Sequence, residues 1–362
     1  MAIFEASRQQ RWPPQRVLVV QTAFLGDVVL ALPLVAALHQ RFPQAQVDFL
    51  TVPAHVPLLQ TQPQIAAVLA FDKRGRQRGL RGLLAMARVL RARRYDLALS
   101  PHRSWRSALL LCLSGIPRRL GFARWGVRWA YTDTVPRPRS GHEVARNHAL
   151  LSPLAPPAVP LPARLRLHVP AAARRRVAAA LARAGVMPQE TLIGLVPGSQ
   201  WATKRWPPEH FAALMACLRG RLKARFVLLG SPAERPLAEA IVARCPEPVL
   251  DLVGRTPLAD LPAYVQRCRL LVSNDTALVH VAAAVGTPVV VLYGPTAPAL
   301  GFFPYGVPWE EASVALPCRP CHPHGPRRCP LRHWRCMREL TAEQVAAKVQ
   351  RLLAKSALRE EG

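Results

Sequence analysis

The feature that most constrains the fold is the stretch of residues 270–293, LLVSNDTALVHVAAAVGTPVVVLY. Its opening apolar run predicts a buried strand, and residues 273–276 are of the types that cap a helix start. A helix of small residues is then predicted from Ala277 to Val285, ended by Gly286 and followed by a second apolar strand. Strand, helix and strand form a βαβ unit, and the free N–H groups at its helix start predict a seat for an anion. An ordinary capped helix in an α/β domain has the same pattern.

The rest of the chain repeats this alternation of short apolar runs and helical stripes. Continuous apolar runs are typical of parallel strands buried on both faces, and helices between them predict doubly wound α/β domains. Further strands are predicted at residues 17–20, 47–50, 68–71 and 97–100 in the first half, and at residues 192–196, 226–229 and 249–253 in the second.

A proline-rich stretch separates the two halves. Residues 153–170 contain six prolines and little periodicity, which predicts a linker. We therefore predict a first domain over residues 1–165, a second over residues 166–340, and a C-terminal helix over residues 341–362. A threonine–glutamine capping box marks the start of that helix, and packing back on the first domain is one option for it.

The charge of the chain implies an anionic partner. Lys and Arg number 49 against 21 Asp and Glu, a formal net charge of +28. Such an excess favours a phosphorylated substrate, a nucleic acid or an anionic lipid surface, although an arginine-rich composition also produces plain solvated charge. Residues 1–15 contain no apolar signal core, and no run of about 18 apolar residues occurs. We therefore expect a cytosolic protein for which contact with a membrane surface remains open.

Polar and charged residues follow several of the predicted strands. In open α/β sheets, ligands bind beyond the carboxyl ends of the strands. We expect the candidate groups of the two domains to face one another across a cleft. These groups are Asp27, His102 and Arg103 in the first domain, and residues 199–204, 231–234 and 273–280 in the second.

Four motifs follow one another along the chain. They are a strand followed by Gly26-Asp27, GHEVARN at residues 141–147, LVPGSQWATKRWPPEHFAAL at residues 195–214, and SNDTALVHVAAAVGTPVVVLYGPT at residues 273–296. The ordered set covers nearly the whole chain and resembles glycosyltransferase family 9, the lipopolysaccharide heptosyltransferases, and most of all its heptosyltransferase II members. The resemblance implies a GT-B fold, in which two Rossmann-like doubly wound α/β domains face each other across a cleft.

The resemblance also implies an activity. Family members transfer heptose from ADP-L-glycero-D-manno-heptose to the lipopolysaccharide inner core, Kdo-lipid A or heptosyl-Kdo-lipid A, with inversion at the anomeric carbon. Asp27 matches the general base that deprotonates the acceptor hydroxyl as ADP is displaced directly. An aspartate at this point of a βα turn is also common as a plain helix cap. No cofactor is implied for catalysis, since positive groups and helix dipoles take the place of a metal ion at the departing diphosphate.

The donor site implied by the resemblance lies in the second domain. Lys204 is expected to contribute to catalysis by placing its ammonium on the leaving diphosphate, with hydroxyl donors from Ser199 and Thr203. Glu234 matches a family carboxylate that accepts hydrogen bonds from the ribose hydroxyls. A glutamate favoured by a helix dipole would occupy the same position in the sequence.

The βαβ stretch contributes the other half of that donor site. Thr276, through its hydroxyl and N–H, and the N–H of Ala277 are expected at the diphosphate, and the resemblance adds Asp275 and His280. His280 shares a helix face with Thr276, yet a histidine on an apolar helix fits a buried core position equally well.

Basic residues of the first domain are candidates for acceptor binding. A phosphorylated Kdo-lipid A acceptor carries several negative groups, which a basic face would bind. Trp105, Trp125 and Trp129, among Arg118, Arg119, Arg124 and Arg128, fit contact with the anionic inner leaflet or ordinary packing. Solvated arginines from a biased composition are the alternative for part of the set. The acceptor candidates are Lys73, Arg74, His102, Arg103 and Arg106.

Four of the eight cysteines are clustered in residues 317–337. Cys318-x₂-Cys321, followed by Cys329 and Cys336, has the spacing of a structural zinc site. Free or redox-labile thiols are the alternative, and a disulfide framework is not expected in the cytosol. Because the cluster follows the GPT loop, we expect a clip on the second domain that lies away from the chemistry.

Three rival functions fit parts of the sequence. A transferase of the same fold that uses another nucleotide sugar would share these motifs. A nucleic-acid-binding protein would explain the charge, but the basic residues are scattered and no known binding module is present, so no nucleic acid is expected. A non-catalytic relative would lack the pair Asp27 and Lys204. We expect a monomer bound peripherally at the cytoplasmic face of the inner membrane.

Overall fold

The computed structural model describes residues 12–154 and 159–357. Three sequence predictions fall partly outside these residues: the N-terminal stretch through residue 11, the centre of the linker, and the last five residues of the C-terminal helix. Backbone contacts divide the chain into two compact units between Pro162 and Ala163, close to the boundary predicted at residue 165.

The described part of the first unit is a six-stranded parallel sheet with helices. The strands β1 to β6 are Arg16–Val20, Gln46–Thr51, Val68–Ala70, Leu97–Ser100, Arg118–Phe122 and Asp133–Val135. The helices α1 to α5 are Leu25–Arg41, Val56–Leu59, Gly79–Ala92, Trp105–Ser114 and Glu143–His148. The order across the sheet is β3-β2-β1-β4-β5-β6.

The described part of the second unit has the same plan. The strands β7 to β12 are Thr191–Val196, Ala224–Leu228, Leu250–Asp251, Leu270–Asn274, Val289–Leu292 and Trp309–Ala312. The helices α6 to α12 are Ala171–Arg183, Pro208–Arg219, Arg235–Val242, Leu261–Arg267, Ala277–Val285, Arg335–Arg338 and Ala342–Ala357. The sheet order is β12-β11-β10-β7-β8-β9. Read from the β9 edge, this is the strand order of the first unit, with β7 in the place of β1.

The βαβ unit predicted at residues 270–293 is confirmed. Helix α10 runs from Ala277 to Val285, Thr276 is its N-cap, and Gly286 ends it with a φ of 85°. Glycine adopts this left-handed conformation without the steric cost that a side chain would bring. Strands β10 and β11 on either side are fully buried, as their continuous apolar runs predict.

The two central strands of each sheet mark the point where its order reverses. In the first unit this switch point lies between β1 and β4, and in the second it lies between β7 and β10. Parallel sheets bind ligands beyond the carboxyl ends of the strands at such points. The loops after β1 and β4, and after β7 and β10, carry most of the predicted site residues.

The C-terminal helix α12 belongs to the second unit. It packs against α7 and β12, and the side chain of Gln344 accepts a hydrogen bond from the Thr341 N–H at 2.9 Å, as in a capping box. Glu310 of β12 is buried and pairs with Lys355 of α12 at 2.6 Å. This helix therefore covers one face of its own sheet.

Candidate functional site

A buried ion pair lies at the switch point of the second unit. Lys204 Nζ is 2.6 Å from Asp275 Oδ2, and it also donates to the carbonyl oxygen of Asp275 at 3.2 Å. Thr296 Oγ1 donates to the same Asp275 oxygen at 2.7 Å. The structure thus brings together two predicted residues, and it adds Thr296, a residue of the matching motif to which the sequence assigned no role.

Asn274 fixes the two loops that carry this ion pair. Its side-chain amide, fully buried, donates to the carbonyl of Pro197 at 2.8 Å and accepts from the N–H of Trp206 at 3.1 Å. The end of β10 is therefore joined to both ends of the loop that follows β7. The sequence identified Asn274 only as a helix-capping type, because its partners lie far away in the chain.

The start of helix α10 adjoins the ion pair. Thr276 caps the helix by accepting a hydrogen bond from the N–H of Leu278 at 3.3 Å. The dipole of a helix is positive at this end, which favours an anion at Thr276 and Ala277. Binding of a diphosphate there stays a prediction.

His280 lies in the buried part of α10. Its side chain is only 5% exposed, and its ring centre is 6.5 Å from that of Phe302 at an angle of 58°. The Phe302 ring in turn contacts His324 of the cysteine-rich region at 6.3 Å. The location inside the unit agrees with the core position that the sequence left open, while a ligand role for His280 stays a prediction.

Glu234 occupies the loop after β8, where the resemblance placed it. Its Oε2 accepts hydrogen bonds from the Ser231 N–H at 2.7 Å and the Ser231 hydroxyl at 2.9 Å, which completes a cap on a short helical turn. A Cβ added to Gly198 would lie 1.7 Å from Glu234 Oε1. The carboxylate therefore lies directly against the backbone at the end of β7, and only glycine at position 198 leaves room for it.

Two residues predicted to bind the nucleotide sugar, Ser199 and Thr203, form hydrogen bonds within the protein. Ser199 is buried, and its carbonyl accepts from Arg205 Nε at 3.0 Å. The hydroxyl of Thr203 donates to the carbonyl of Pro326 at 2.6 Å, while Trp334 Nε1 donates to the Thr203 carbonyl at 2.8 Å. The cysteine-rich region therefore packs on the loop of Thr203 and Lys204. This region, which was expected to lie away from the chemistry, thus contacts the loop that carries two of the predicted diphosphate-binding residues.

The four clustered cysteines line one small cavity of about 30 Å³ together with Thr203 and His333. Cys318 Sγ is 4.0 Å from His333 Nε2. Across residues 12–154 and 159–357, however, no group of three or more His, Cys, Asp or Glu side chains is arranged to hold a metal ion. Burial raises the pKa of Cys336 to about 11, so that this thiol is protonated at neutral pH in the arrangement described. The remaining members of the cluster are Cys321 and Cys329.

In the first unit, Asp27 lies in the first turn of α1. Its Oδ2 accepts a hydrogen bond from the N–H of Phe24 at 3.1 Å. Burial raises the pKa of Asp27 to about 6, and the charge of Glu143 adds to this rise, whereas the Phe24 N–H and Arg137 oppose it. A carboxylate with a pKa near neutrality suits a general base. The hydrogen bond to Phe24 and the raised pKa occur together at Asp27, so a role in the helix cap does not conflict with a role as the base.

The GHEVARN motif explains the charges near Asp27. Glu143, at the start of α5, pairs with Arg137 at 2.5 Å and with Arg146 at 3.2 Å. Helix α5 packs on α1, and Asn147 Nδ2 donates to the carbonyl of Leu30 at 3.1 Å. The sequence matched this motif without assigning a role to its residues or to Arg137.

Thr22 joins two of the predicted acceptor-binding residues. Its buried hydroxyl is 3.0 Å from Lys73 Nζ and 3.1 Å from His102 Nδ1. Burial, and then the charge of Lys73, lowers the pKa of His102 to about 4, so that this imidazole is neutral at pH 7. Thr22 is the second residue after β1, and no role was predicted for it because a single threonine is a weak signal.

The predicted basic residues differ in their surroundings. Arg106 donates to the carbonyls of Gln77 and Gly79 at 2.9 and 3.2 Å and lies over the Phe71 ring, so it ties together the loop after β3. Arg74 and Arg103 are exposed.

Three tryptophans of the first unit are exposed to solvent. Trp125 is 98% exposed, and Trp105 and Trp129 are more than half exposed. Arg118 and Arg119, which the sequence grouped with them, lie instead in β5. Arg118 pairs with Asp133, and Arg119 donates to the carbonyl of Ala130. Within the described chain, no helix is both long and apolar enough to span a bilayer.

Two doubly wound parallel sheets, the second with a buried lysine at its switch point beside a helix start, are the architecture of the GT-B class. The model of glycosyltransferase family 9 (heptosyltransferase) matches residues 83–334. The chain belongs to this family.

The relatives and solved structures agree with this assignment. The chain is 28% identical to lipopolysaccharide heptosyltransferase 3 of Escherichia coli over 283 residues, covering 75% of this chain and 82% of that protein. It is 27% identical to lipopolysaccharide heptosyltransferase 2 of E. coli K12 over 293 residues, covering 78% and 84%. A structure of a family 9 glycosyltransferase from Veillonella parvula matches with a TM-score of 0.84 at 24% identity, covering 94% and 98%. That of E. coli ADP-heptose heptosyltransferase II matches with a TM-score of 0.76 at 25% identity, covering 96% and 100%.

Proposed function

We propose that this glycosyltransferase moves heptose from ADP-L-glycero-D-manno-heptose to the lipopolysaccharide inner core, and that it adds the second heptose. Relatives named lipopolysaccharide heptosyltransferases 2 and 3, which the chain matches over most of its length, support the sugar and the product. The observation that carries the proposal is the Lys204–Asp275 pair at the start of α10, in a chain of family 9.

The donor diphosphate is assigned to this ion pair and the helix start. Lys204 supplies a full positive charge, and the N–H groups of Thr276 and Ala277 supply the positive end of a helix dipole. Ser199, Thr203, Asp275 and His280 complete the set, with Asp275 holding the lysine in place. Glu234 is assigned to the ribose hydroxyls, since one of its oxygens lies against the backbone of Gly198 at the end of β7.

The reaction is a direct displacement with inversion. Asp27 takes the proton of the acceptor hydroxyl, whose oxygen forms a bond to the anomeric carbon. The bond from that carbon to the diphosphate oxygen breaks, and ADP leaves with its added charge facing Lys204. No metal ion or other cofactor is required by this scheme. The raised pKa of Asp27 supports the assignment of the base.

The acceptor is assigned to the basic face of the first unit. Lys73 and Arg74 lie in the loop after β3, Arg103 lies in the loop after β4, and Arg106 lies at the start of α4. A heptosyl-Kdo-lipid A acceptor carries phosphates and carboxylates that these cations bind, and the neutral imidazole of His102 contributes a hydrogen bond. The exposed Trp105, Trp125 and Trp129 would enter the lipid interface, where aromatic rings are favourable. The enzyme would then act as a monomer at the cytoplasmic face of the inner membrane.

For the four cysteines we propose a structural zinc ion held by Cys318, Cys321, Cys329 and Cys336. Their spacing and their shared cavity support it. Because no three of the side chains described are arranged as ligands, the sulfur atoms would have to move within that cavity. Elemental analysis of protein purified without chelators or affinity-tag metals tests this: about one zinc per chain, lost in Cys318→Ser/Cys321→Ser, supports it. Metal-free protein with four reactive thiols overturns it.

A thermal-shift panel of nucleotides tests the donor class. We expect ADP to raise the melting temperature, and UDP and GDP to leave it unchanged, because only a bound ligand shifts the unfolding equilibrium. Stabilisation by UDP or GDP instead would favour a transferase that uses another nucleotide sugar. Absence of any nucleotide effect, with steep salt-dependent binding to DNA, would favour a nucleic-acid-binding protein.

A further inference from the structure

The cysteine-rich region contacts the proposed donor site at three points that catalysis does not explain. We define residues 317–337 as the brace. We propose that Trp334 and Arg319 of the brace are positioning residues, which hold the loops of Lys204 and Thr296 in the geometry that binds the donor diphosphate. This inference rests on the proposed donor site.

The first contact is made by Trp334. Its indole N–H donates to the carbonyl of Thr203 at 2.8 Å, one residue before Lys204. The backbone of Trp334 has a φ of 50°, a left-handed conformation that is a rare and costly one for a large side chain. Such a conformation persists where the surroundings enforce it, and here it starts helix α11 while the ring faces the Thr203 loop. In return, the Thr203 hydroxyl donates to Pro326 of the brace.

The second contact is made by Arg319. Its guanidinium is largely buried and donates to the carbonyls of Gly294 and Thr296, at 2.5 and 3.2 Å, in the loop after β11. A third bond, to Val314, joins this loop to the segment that leads into the brace. The five donors of one planar guanidinium can satisfy several carbonyls in a fixed geometry, which a lysine cannot do.

The third contact packs the lysine itself. Gly325 lies so close to Lys204 that an added Cβ would be 3.1 Å from the Cγ and Cε atoms of that side chain. The stem of Lys204 therefore passes the brace before its ammonium reaches Asp275. Together the contacts form two routes to one ion pair. One runs from Arg319 through Thr296 to Asp275, and the other runs from Trp334 through Thr203 to Lys204.

Fixing these loops affects binding for a physical reason. A long lysine side chain loses rotamer freedom when it holds an anion, and a loop that is already ordered does not lose that entropy again on binding. In the proposed mechanism, Trp334 and Arg319 contact neither the acceptor oxygen nor the anomeric carbon. Their substitution should therefore weaken binding of the donor and leave binding of the acceptor unchanged.

The test uses Trp334→Phe, which keeps a ring and removes the N–H, and Arg319→Gln, which removes the planar fork. Arg328→Gln is the matched control, an exposed arginine of the same brace. Calorimetry should show that Trp334→Phe weakens ADP binding about fivefold, the loss expected for one hydrogen bond. Arg319→Gln should weaken it further, and the control should match wild type. In steady state, the KM for the donor should rise and the KM for the acceptor should stay constant.

A double-mutant comparison separates positioning from general stability. In a Lys204→Met background, Trp334→Phe should have no further effect on ADP affinity, because it acts through that lysine. Equal and additive losses in both backgrounds, or unchanged ADP affinity in both brace variants, would overturn the inference. Wild-type protein that fails to bind ADP would overturn the proposed donor site itself, and wild-type binding with unaffected variants would overturn the brace alone.

Discussion

The ammonium of Lys204 lies 2.6 Å from the carboxylate of Asp275, and both side chains are about one-tenth exposed. The two residues come from loops at the ends of β7 and β10, which are neighbours at the switch point of the second sheet. Asp275 accepts two hydrogen bonds from this ammonium, through its carboxylate and its carbonyl, and an ammonium has three N–H donors. We assign the third N–H to the diphosphate.

Removing Lys204 should therefore have two separable effects. Lys204→Met leaves the buried Asp275 carboxylate without its cation, and we expect the free energy of unfolding to fall by about 3 kcal/mol. The affinity for ADP should fall about tenfold or more, the loss expected for a charge-assisted contact. Denaturant unfolding and calorimetry measure the two quantities.

The double variant Lys204→Met/Asp275→Asn provides the control. It removes both charges, so most of the lost stability should return while ADP affinity stays low. If ADP binding returned with stability, the lysine would serve only the fold.

The pH dependence of transfer should follow Asp27. Its pKa of about 6 predicts that kcat/KM rises about tenfold per pH unit below 6 and levels off above it, because the base acts only when deprotonated. Asp27→Asn should remove this dependence together with nearly all activity. A rate independent of pH between 5 and 7, which are about one unit to either side of this pKa, would contradict the assignment.

Asp27→Asn should be more stable than the wild-type protein at neutral pH, although it should be nearly inactive. The folded-state pKa of Asp27 is raised above the ordinary value of 3.8, so the folded protein binds this proton more tightly than the unfolded chain does. The stability that comes from this tighter binding is lost as the pH rises towards 6. At pH 7.5, Asp27→Asn should stabilise the protein by about 1 to 3 kcal/mol, and at pH 3.5 by much less. Equal melting temperatures of the two proteins at both pH values would contradict the raised pKa.

The close contact of Gly198 and Glu234 gives a packing test. Gly198→Ala places a Cβ 1.7 Å from the carboxylate. The carboxylate is the end of a flexible side chain, so it should move aside and lose its hydrogen bonds to Ser231, at a cost of about 1 kcal/mol in unfolding free energy. Gly198→Ala/Glu234→Ala should be as stable as Glu234→Ala alone, because the added methyl group then displaces nothing. Binding of ADP should weaken in both variants if Glu234 holds the ribose, and 2′-deoxyADP should show a smaller loss than ADP.

Thr22 should matter to the acceptor and not to the donor. Thr22→Val keeps the shape but removes the hydroxyl that meets both Lys73 and His102. We expect a several-fold higher KM for the lipid acceptor and an unchanged KM for the donor. A change confined to the donor would move these residues out of the acceptor site.

The exposed tryptophans predict membrane contact. Trp125→Ala should reduce binding to vesicles that contain anionic lipid, with no loss of stability, because the side chain is 98% exposed. Activity on a soluble, delipidated acceptor should be unchanged. Wild-type vesicle binding in the variant would leave Trp125 without this role.

Local patterns predicted much of the fold. The bounds of α10 and its terminal Gly286 follow from residues adjacent in sequence, and they agree with the structure. Strand β5, RRLGF, was not predicted because it begins with two arginines, and its Arg118 is paired with Asp133 of the next strand. Strand β12 contains two glutamates, and the buried Glu310 is compensated by lysines of α12. Charges that are neutralised across long sequence separations leave no local pattern.

The residues of the candidate site were predicted in part, but the long-range contacts between them were not. The resemblance supplied Asp27, Lys204 and Asp275, and the structure brings the last two into contact. It could not supply the contacts of Trp334 with Thr203, which are 131 residues apart, because an indole N–H selects its partner only in the folded chain. For the same reason, the contact of the cysteine-rich region with the loop of Thr203 and Lys204 was not predicted, and the region was expected to lie away from the chemistry.

The most direct test of the central claim is mass spectrometry of a lipid acceptor after incubation with ADP-heptose. We expect wild-type enzyme to add one heptose to heptosyl-Kdo-lipid A, and Asp27→Asn and Lys204→Met to add almost none while remaining folded. Full transfer by either variant would contradict the roles assigned to these residues. No transfer by wild-type protein to Kdo-lipid A or its heptosylated form, with another nucleotide sugar consumed, would contradict the heptosyltransferase account as a whole.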